Sequence, residues 1–268
     1  MGTTTLTDQE LEHFDRYGYL RVSGAFTADE AAAMCDVVWH ELESRGIRRA
    51  DPTTWTEEFP DHLQHLRKAP EFQAVGSPRT LGAIADLLGP VRAEPPKDWG
   101  AYFLLFPTKR PWTVPWKAWH VDHDWTDPLT PLVGLKVHAM LAPVEPRAGG
   151  MTIVAGSHHV VARILEDDPP PADARAAQIR ARVMRGHPYL RDLSIDDQGD
   201  PDQRAARIAR FHDREEEVLG HGLRVVELTA DAGDVILIHP LVLHTRPTNA
   251  GTAPRILLNK DLYPPRKE

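Results

Sequence analysis

The spacing of apolar residues changes character about a third of the way along the chain. Before residue 91 it is mostly helical. Leu11, Phe14 and Tyr17 recur at the interval that lines one face of a helix. Thr7 is placed to cap that helix, Glu10 to complete a capping box, and Gly18 to end it. Tyr19-Leu20-Arg21-Val22 then alternates as a strand does. Thr27-Ala28-Asp29-Glu30 opens a second, longer helix reaching about Leu42. Ser77, as a cap, and Pro78, at the first helical position, open a third that runs to Leu88.

From Val91 the apolar residues fall into short runs punctuated by Pro, Gly and Asp. These runs are Ala101–Phe106, Trp116–Val121, Leu135–Leu141, Met151–Val154, Leu223–Leu228, Val235–Ile238, Val242–Arg246 and Arg255–Leu262. Runs of this length read as strands, and several antiparallel strands predict a barrel or jelly roll. The fold class expected is therefore mainly β with flanking helices. Between Ser157 and Gly222 the strand pattern stops, in a charged stretch rich in Arg, Asp and Ala with helical spacing. It reads as a long insertion, open to two interpretations: a solvated appendage, or a lid over a site. The expected organisation is one domain over 1–268, with a mostly helical flank (1–90), a core (91–262) and the insertion (about 157–222).

Composition narrows the function classes. The chain has 268 residues, 41% hydrophobic and 26% charged, enough apolar material for a sizeable core. A formal net charge of -8 repels phosphate backbones, so nucleic acid is not an expected partner. No apolar run approaches membrane-spanning length, and Met1–Leu6 lacks the basic and apolar regions of a secretion signal. A cytoplasmic protein without a membrane partner is expected. The single cysteine, Cys35, permits no intrachain disulfide and falls in an alanine-rich helical pattern, where it reads as a small core residue.

Candidate chemistry comes from spacing, since 14 histidines make any one of them uninformative. In Trp119-His120-Val121-Asp122, a strand would turn His120 and Asp122 to one face and Val121 away. The third ligand is expected from a neighbouring strand. His244 follows the buried run Val235–Ile238 and a corner at Pro240. His239 faces the other way in an extended chain, but Pro240 disturbs that count and leaves it a competitor. His123 faces away from His120 and Asp122. His158 and His159 sit at a helix start, where a structural role is expected. Two histidines and one carboxylate suit the facial site of non-haem Fe(II) oxygenases, and also serve zinc hydrolases. Arg255 opens an apolar strand, and a buried guanidinium there needs a carboxylate partner, such as that of an oxo acid.

Taken together, these residues resemble the phytanoyl-CoA dioxygenase family of Fe(II)/2-oxoglutarate-dependent oxygenases, over most of the chain. Leu6-Thr7-Asp8-Gln9-Glu10 through Phe14–Leu20 is similar to the family's opening helix and strand. Trp119–Asp122 resembles its iron motif. Gly149-Gly150 followed by Val154-Ala155-Gly156-Ser157-His158 resembles its "NG…PGSH" segment, with Gly149 replacing Asn and Ala155 replacing Pro. Gly233-Asp234, His244, Asn249 and Arg255 fall at family spacing. The resemblance implies a double-stranded β-helix, and Fe(II), 2-oxoglutarate and O2 as cofactor and cosubstrates. It implies that His120, Asp122 and His244 bind the metal and that Arg255 binds the distal carboxylate of 2-oxoglutarate.

One position departs from the family. Members often carry serine two residues after the distal histidine, and here that residue is Arg246. Thr245 or Arg246 is expected to take over the contact, with Tyr102 and Trp125 as further cosubstrate contacts. The presence of Asp122 argues against the halogenating variants. Hydroxylation is the default outcome; desaturation, ring closure and epimerisation share the same start. For the substrate, Trp112, Trp116, Trp119 and Trp125 crowd the metal motif and suit a flat or ring-bearing molecule. Lys136 and His138 share a strand face and, if inward, bind polar or anionic substrate groups. A free small molecule of specialised metabolism is expected. The alternatives are a zinc-dependent hydrolase and a catalytically silent cupin-like binding protein; the intact ligand set and Arg255 oppose both.

Overall fold

Helix α1 (Asp8–Tyr17) begins where its capping box puts it: Thr7 Oγ1 accepts the Glu10 N–H and the Glu10 carboxylate accepts the Thr7 N–H. The chain leaves α1 through Gly18 at φ 74°, where a Cβ would strike Val242 and His158, and turns straight into β1 (Tyr19–Val22). The computed structural model describes residues 4–89, 96–122, 129–171 and 173–263. A second capping box, Thr27 with Glu30, starts α2 (Ala28–Ser44), two residues longer than its apolar pattern predicts. Its buried residues Ala31, Met34, Cys35, Val38, Trp39 and Leu42 follow the helical repeat. Ser77 caps α3 (Pro78–Leu88), with proline at its first position as expected.

The remaining strands are β2 (Ala101–Leu105), β3 (Leu135–Met140), β4 (Thr152–Ala155), β5 (Glu216–Val218), β6 (His221–Glu227), β7 (Val235–Ile238), β8 (His244–Thr245) and β9 (Arg255–Leu262). They form two antiparallel sheets, a major one ordered β1-β7-β3-β9-β2 and a minor one ordered β5-β6-β4-β8. Register fixes which side chains face inward. Arg255 pairs with Leu105, Leu257 with Phe103 and Met140, Asn259 with His138, and Asp261 with Lys136. Paired residues share a face, so Phe103, Leu105, Lys136, His138, Met140, Arg255, Asn259 and Asp261 line one side of the major sheet.

That side packs toward the minor sheet through a cluster containing Met140, Ile153, Ala155, Ile236, Ile238 and Leu257. The opposite face of the major sheet, with Leu104, Val137, Ala139, Leu237, Ile256 and Leu258, is covered by α1, α2 and α3. Cys35 lies in this layer as expected; burial raises its thiol to about 11, and the Sγ–H is donated to the Leu141 carbonyl at 3.1 Å. Full burial of each large side chain there, such as Met34 or Phe72, contributes about 1.5–3 kcal/mol.

Three sequence expectations change. Trp116–Val121 does not form a strand; only His120 pairs, as an isolated antiparallel bridge to His244. Pro115 immediately precedes the run and Ala118 within it adopts φ 62°, which breaks extended geometry. Val242–Arg246 shortens to β8. The segment between Ser157 and Gly222 is not a solvated appendage, and its strand β5 begins before its expected end. Its helices α4 (Ser157–Asp167), α5 (Ala176–Arg185), α6 (Pro188–Leu193) and α7 (Pro201–Arg207) precede a π-helical turn (Ile208–His212). Val160, Ile164, Ile179, Val183 and Leu190 bury against Val154, Leu223 and Val225 of the minor sheet. The segment is thus a docked layer, covering the second sheet as α1–α3 cover the first.

Candidate metal centre and its surroundings

Residue His120 reaches the site through backbone pairing. Its N–H donates to the His244 carbonyl at 3.1 Å and the His244 N–H returns the bond at 2.9 Å. Directly opposed residues point the same way, so the two imidazoles stand together with ring centroids 4.3 Å apart. Asp122 is anchored two residues on, its N–H bonded to the Pro240 carbonyl at 3.1 Å. The ligand atoms of His120, Asp122 and His244 all lie within 4.8 Å of one another, the only such cluster among the described residues. Val121 turns away into the helical layer. The structure brings His120, Asp122 and His244 together although the strand assumed around His120 and Asp122 is absent.

The donor set fits a metal. His120 Nδ1 lies 2.8 Å from the Ala118 carbonyl and His244 Nδ1 2.9 Å from the Val242 carbonyl. A carbonyl only accepts, so each Nδ1 carries the proton and each Nε2 presents its lone pair to the centre. These two Nε2 atoms are 3.6 and 3.1 Å from the Asp122 oxygens. Burial pushes the Asp122 carboxyl up, but its close neighbours, His244 and the ammonium of Lys136, outweigh it and hold the group well below the usual carboxylate range. Burial, then the neighbouring His244, lowers the His120 imidazole, which keeps it neutral as a ligand requires. His244 is buried while the His120 side chain is 45% exposed, so the open side of the set lies toward His120.

Across the interior, the major sheet supplies Lys136, His138 and Arg255. Lys136 and His138, whose direction the sequence leaves open, face inward, but Lys136 is not left free for a substrate. Its Nζ lies 2.6 Å from Asp122 Oδ2, 2.7 Å from Asp261 Oδ1 and 3.3 Å from Asn259 Oδ1. His138 is fully buried with neither ring nitrogen hydrogen-bonded; burial, reinforced by Lys136 and Arg255, lowers its pKa well below the ordinary value. Arg255 is 1% exposed. Nη1 donates to the Gly149 carbonyl at 2.6 Å, and Nε and Nη2 have no partner. Burial, then Arg246, lowers this guanidinium to about 9. A buried cation with two unpartnered donor nitrogens has the chemistry to hold a carboxylate.

The Gly149 carbonyl is itself held. Gly149 has φ 84° and a Cβ there would meet Leu105 and Asn249, so only glycine fits. The Glu227 carboxylate accepts the N–H groups of Arg147, Gly149 and Gly150 at 2.6, 3.0 and 3.0 Å. Burial raises the Glu227 carboxyl, partly offset by these donors. Sequence reading missed Glu227; the available signal was a carboxylate inside the apolar run Leu223–Leu228. Asn249, at its family position, is fully buried and clamps the turn before β9 by donating to the Leu105 and Ala253 carbonyls.

Two expected contacts are corrected. Tyr102 lies on the outer face of the major sheet, paired with Leu258 and packed edge-on against Phe72 at 5.1 Å, so Phe103 rather than Tyr102 faces Arg255. The Arg255 guanidinium lies 5.9 Å from the Phe103 ring. Thr245 faces away from His244, and its hydroxyl donates to the Lys117 carbonyl at 3.1 Å. Arg246, two residues after His244, returns to the site side and stacks on Phe59 and Phe103 at 4.8 and 5.7 Å. His239 points to Phe14 and His158, away from the centre. His158 and His159 both bond the Asp15 carbonyl, docking α4 on α1. Trp112 and Trp119 are buried in the helical layer, whereas Trp116 lines a cavity beside His120. Trp125 and His123 lie outside the described residues.

A model of the phytanoyl-CoA dioxygenase (PhyH) family matches residues 14–257. No curated protein sequence matches the chain. Among solved structures, AviO1 from Streptomyces viridochromogenes Tue57 is 17% identical, with 100% of this chain and 99% of that chain covered and a TM-score of 0.52. HygX from Streptomyces hygroscopicus, solved with nickel and 2-oxoglutarate bound, is 17% identical, with 97% and 88% covered and a TM-score of 0.52. At these identities the likeness is one of fold: antiparallel sheets with flanking helices. No helix among the described residues is long and apolar enough to cross a membrane.

Proposed function

The chain belongs to the phytanoyl-CoA dioxygenase (PhyH) family, and from that premise we propose that it is an Fe(II)- and 2-oxoglutarate-dependent oxygenase that oxidises a C–H bond of a small molecule, with hydroxylation as the default outcome. The two sheets are read as the halves of a double-stranded β-helix, and residues 1–268 as one domain. The observation that carries the reading is the donor set itself. Two imidazoles with their Nδ1 protons committed to carbonyls, and one ionised carboxylate, converge on a common point. A buried guanidinium with two unpartnered nitrogens lies in the same interior. A hydrolytic zinc site has no use for that guanidinium. HygX, of similar fold, holds nickel together with 2-oxoglutarate.

When bound, the metal with 2-oxoglutarate and O2 supplies an oxidant able to remove a substrate hydrogen. The chain's residues bind and orient. His120 and His244 offer Nε2, and Asp122 offers a carboxylate that Lys136 keeps ionised and fixed. Arg255 takes the distal carboxylate of 2-oxoglutarate with Nε and Nη2, while Gly149 holds its Nη1. Arg246, over Phe103, adds a second positive charge where family members often have a serine hydroxyl. His138, neutral and enclosed, faces the same interior. The test is succinate formation from 2-oxoglutarate with Fe(II) and O2, by wild type and Asp122→Ala. The variant is expected to lose it; wild-type turnover in the variant, or turnover supported by zinc, rejects the assignment.

A further inference from the structure

A cavity of about 590 Å³ opens beside His120. Its walls come from the 113–118 segment, from Thr245–Thr248, from Glu58 and Phe59, and from Arg180 of α5. Four cations line it, and one, Arg110, is paired with Glu58. The other three, Lys117, Arg180 and Arg246, have no ion pair among the described residues, although the chain carries 39 acidic against 31 basic side chains. Two of the three are set against rings: Lys117 Nζ lies 5.2 Å from the Trp116 centroid, and Arg246 sits over Phe59. A second cavity of about 460 Å³ shares Trp116, Lys117 and Arg180 and adds Arg185 and Arg191. Arg255 lines neither cavity, and of the three cations only Arg246 also lies near Arg255, both standing over Phe103.

We propose that the cavity beside His120 is the substrate site, and that it takes a compact organic anion whose carboxylate or phosphate group is held by Lys117, Arg180 and Arg246 while its body lies against Trp116 and Phe59. The inference deepens the oxygenase reading and rests on it for the word substrate. Like-signed cations without counter-ions around one concavity repel each other and are relieved by an anion. The volume falls within the usual range for a drug-sized ligand and argues for a free molecule over one tethered to a large carrier. Arg180 gives the docked helical segment a role at the site, as one wall of the cavity.

The experiment uses benzoate, phenyl phosphate, benzyl alcohol and coenzyme A as probes, titrated calorimetrically into full-length protein holding saturating 2-oxoglutarate and Ni(II). Saturable binding of benzoate or phenyl phosphate is expected, roughly tenfold or more tighter than benzyl alcohol and weakening with salt; which of the two binds better identifies the anionic group. The variant Lys117→Ala/Arg180→Ala is expected to lose roughly tenfold in probe affinity with 2-oxoglutarate affinity unchanged. Equal binding of the neutral alcohol, unchanged binding in the variant, or preference for coenzyme A overturns the proposal. So does displacement of the probe by excess 2-oxoglutarate, which assigns these cations to the cosubstrate. Probe binding in protein that fails to take up metal retains the anion site but removes the oxygenase reading, so the two failures are told apart.

Discussion

Replacing Arg255 by methionine should separate stability from binding. The guanidinium makes one hydrogen bond to protein, to the Gly149 carbonyl, and leaves Nε and Nη2 without a partner in the interior. Two buried unsatisfied polar groups cost about 2–6 kcal/mol together, while the one bond of a charged donor returns about 1.5–3 kcal/mol. Methionine removes both terms and fills most of the volume. The metal-free, cosubstrate-free variant is therefore expected to lie between about 1 kcal/mol less and about 4 kcal/mol more stable than wild type. Removing one partner of a buried charge pair costs roughly 2–5 kcal/mol of binding, which is about 30- to several-thousand-fold in 2-oxoglutarate affinity. Urea denaturation with and without 2-oxoglutarate, in the presence of Ni(II), reads both quantities. Wild type should be stabilised by 2-oxoglutarate and Arg255→Met should not. A variant that loses 3 kcal/mol or more when empty, yet is still stabilised by 2-oxoglutarate, refutes the reasoning: Arg255 would then be a structural residue.

Three further outcomes are expected. Lys136→Met removes the ammonium that fixes Asp122 and should weaken Ni(II) affinity about 10- to 100-fold by metal titration; tighter binding would mean that the lysine competes with the metal for the carboxylate. Glu227→Gln sets an amide donor against one of the N–H groups of the Arg147–Gly150 loop. It should lower the melting temperature by about 5 °C and weaken 2-oxoglutarate binding, since the loop carries the Gly149 carbonyl; an unchanged cosubstrate affinity would limit Glu227 to a structural role. Burial, with His159 close by, lowers His158 from the ordinary histidine value of about 6.5 to about 4. The unfolded chain then binds the extra proton between those values, so stability is full above about pH 6.5 and falls toward pH 4, by about 3 kcal/mol at its limit. Denaturation midpoints of wild type and His158→Gln across that range check it, the variant losing the slope.

What could be read from the sequence was local in origin. The capping boxes at Thr7 and Thr27 and the turn at Gly18 depend on residues a few positions apart, and they form as their spacing predicts. His120 and Asp122 were legible for a subtler reason. An alternating pair needs only locally extended backbone, and one bridge to His244 supplies it where a full strand is missing. Contacts set by register were not legible. Tyr102 is the polar side chain of the Ala101–Phe106 run, but the pairing of Leu105 with Arg255 decides which face β2 offers the site. Thr245 fails by the same parity, pointing away from the face that carries His244 and Arg246. The tie from Lys136 to Asp122 spans the two sheets, and no spacing along the chain encodes it. The 157–222 segment was legible as helical but not as a docked layer, because its apolar residues meet Val154, Leu223 and Val225 only once the sheet exists.

The most direct test of the central claim is the visible spectrum of the purified protein under anaerobic conditions, titrated with Fe(II) and then with 2-oxoglutarate. If His120, Asp122 and His244 hold the metal and the oxo acid chelates it, a weak charge-transfer band should appear on adding 2-oxoglutarate. The band should be absent in His244→Ala and require much more 2-oxoglutarate in Arg255→Met. No band in the wild-type protein, with zinc bound tightly instead, would contradict the account.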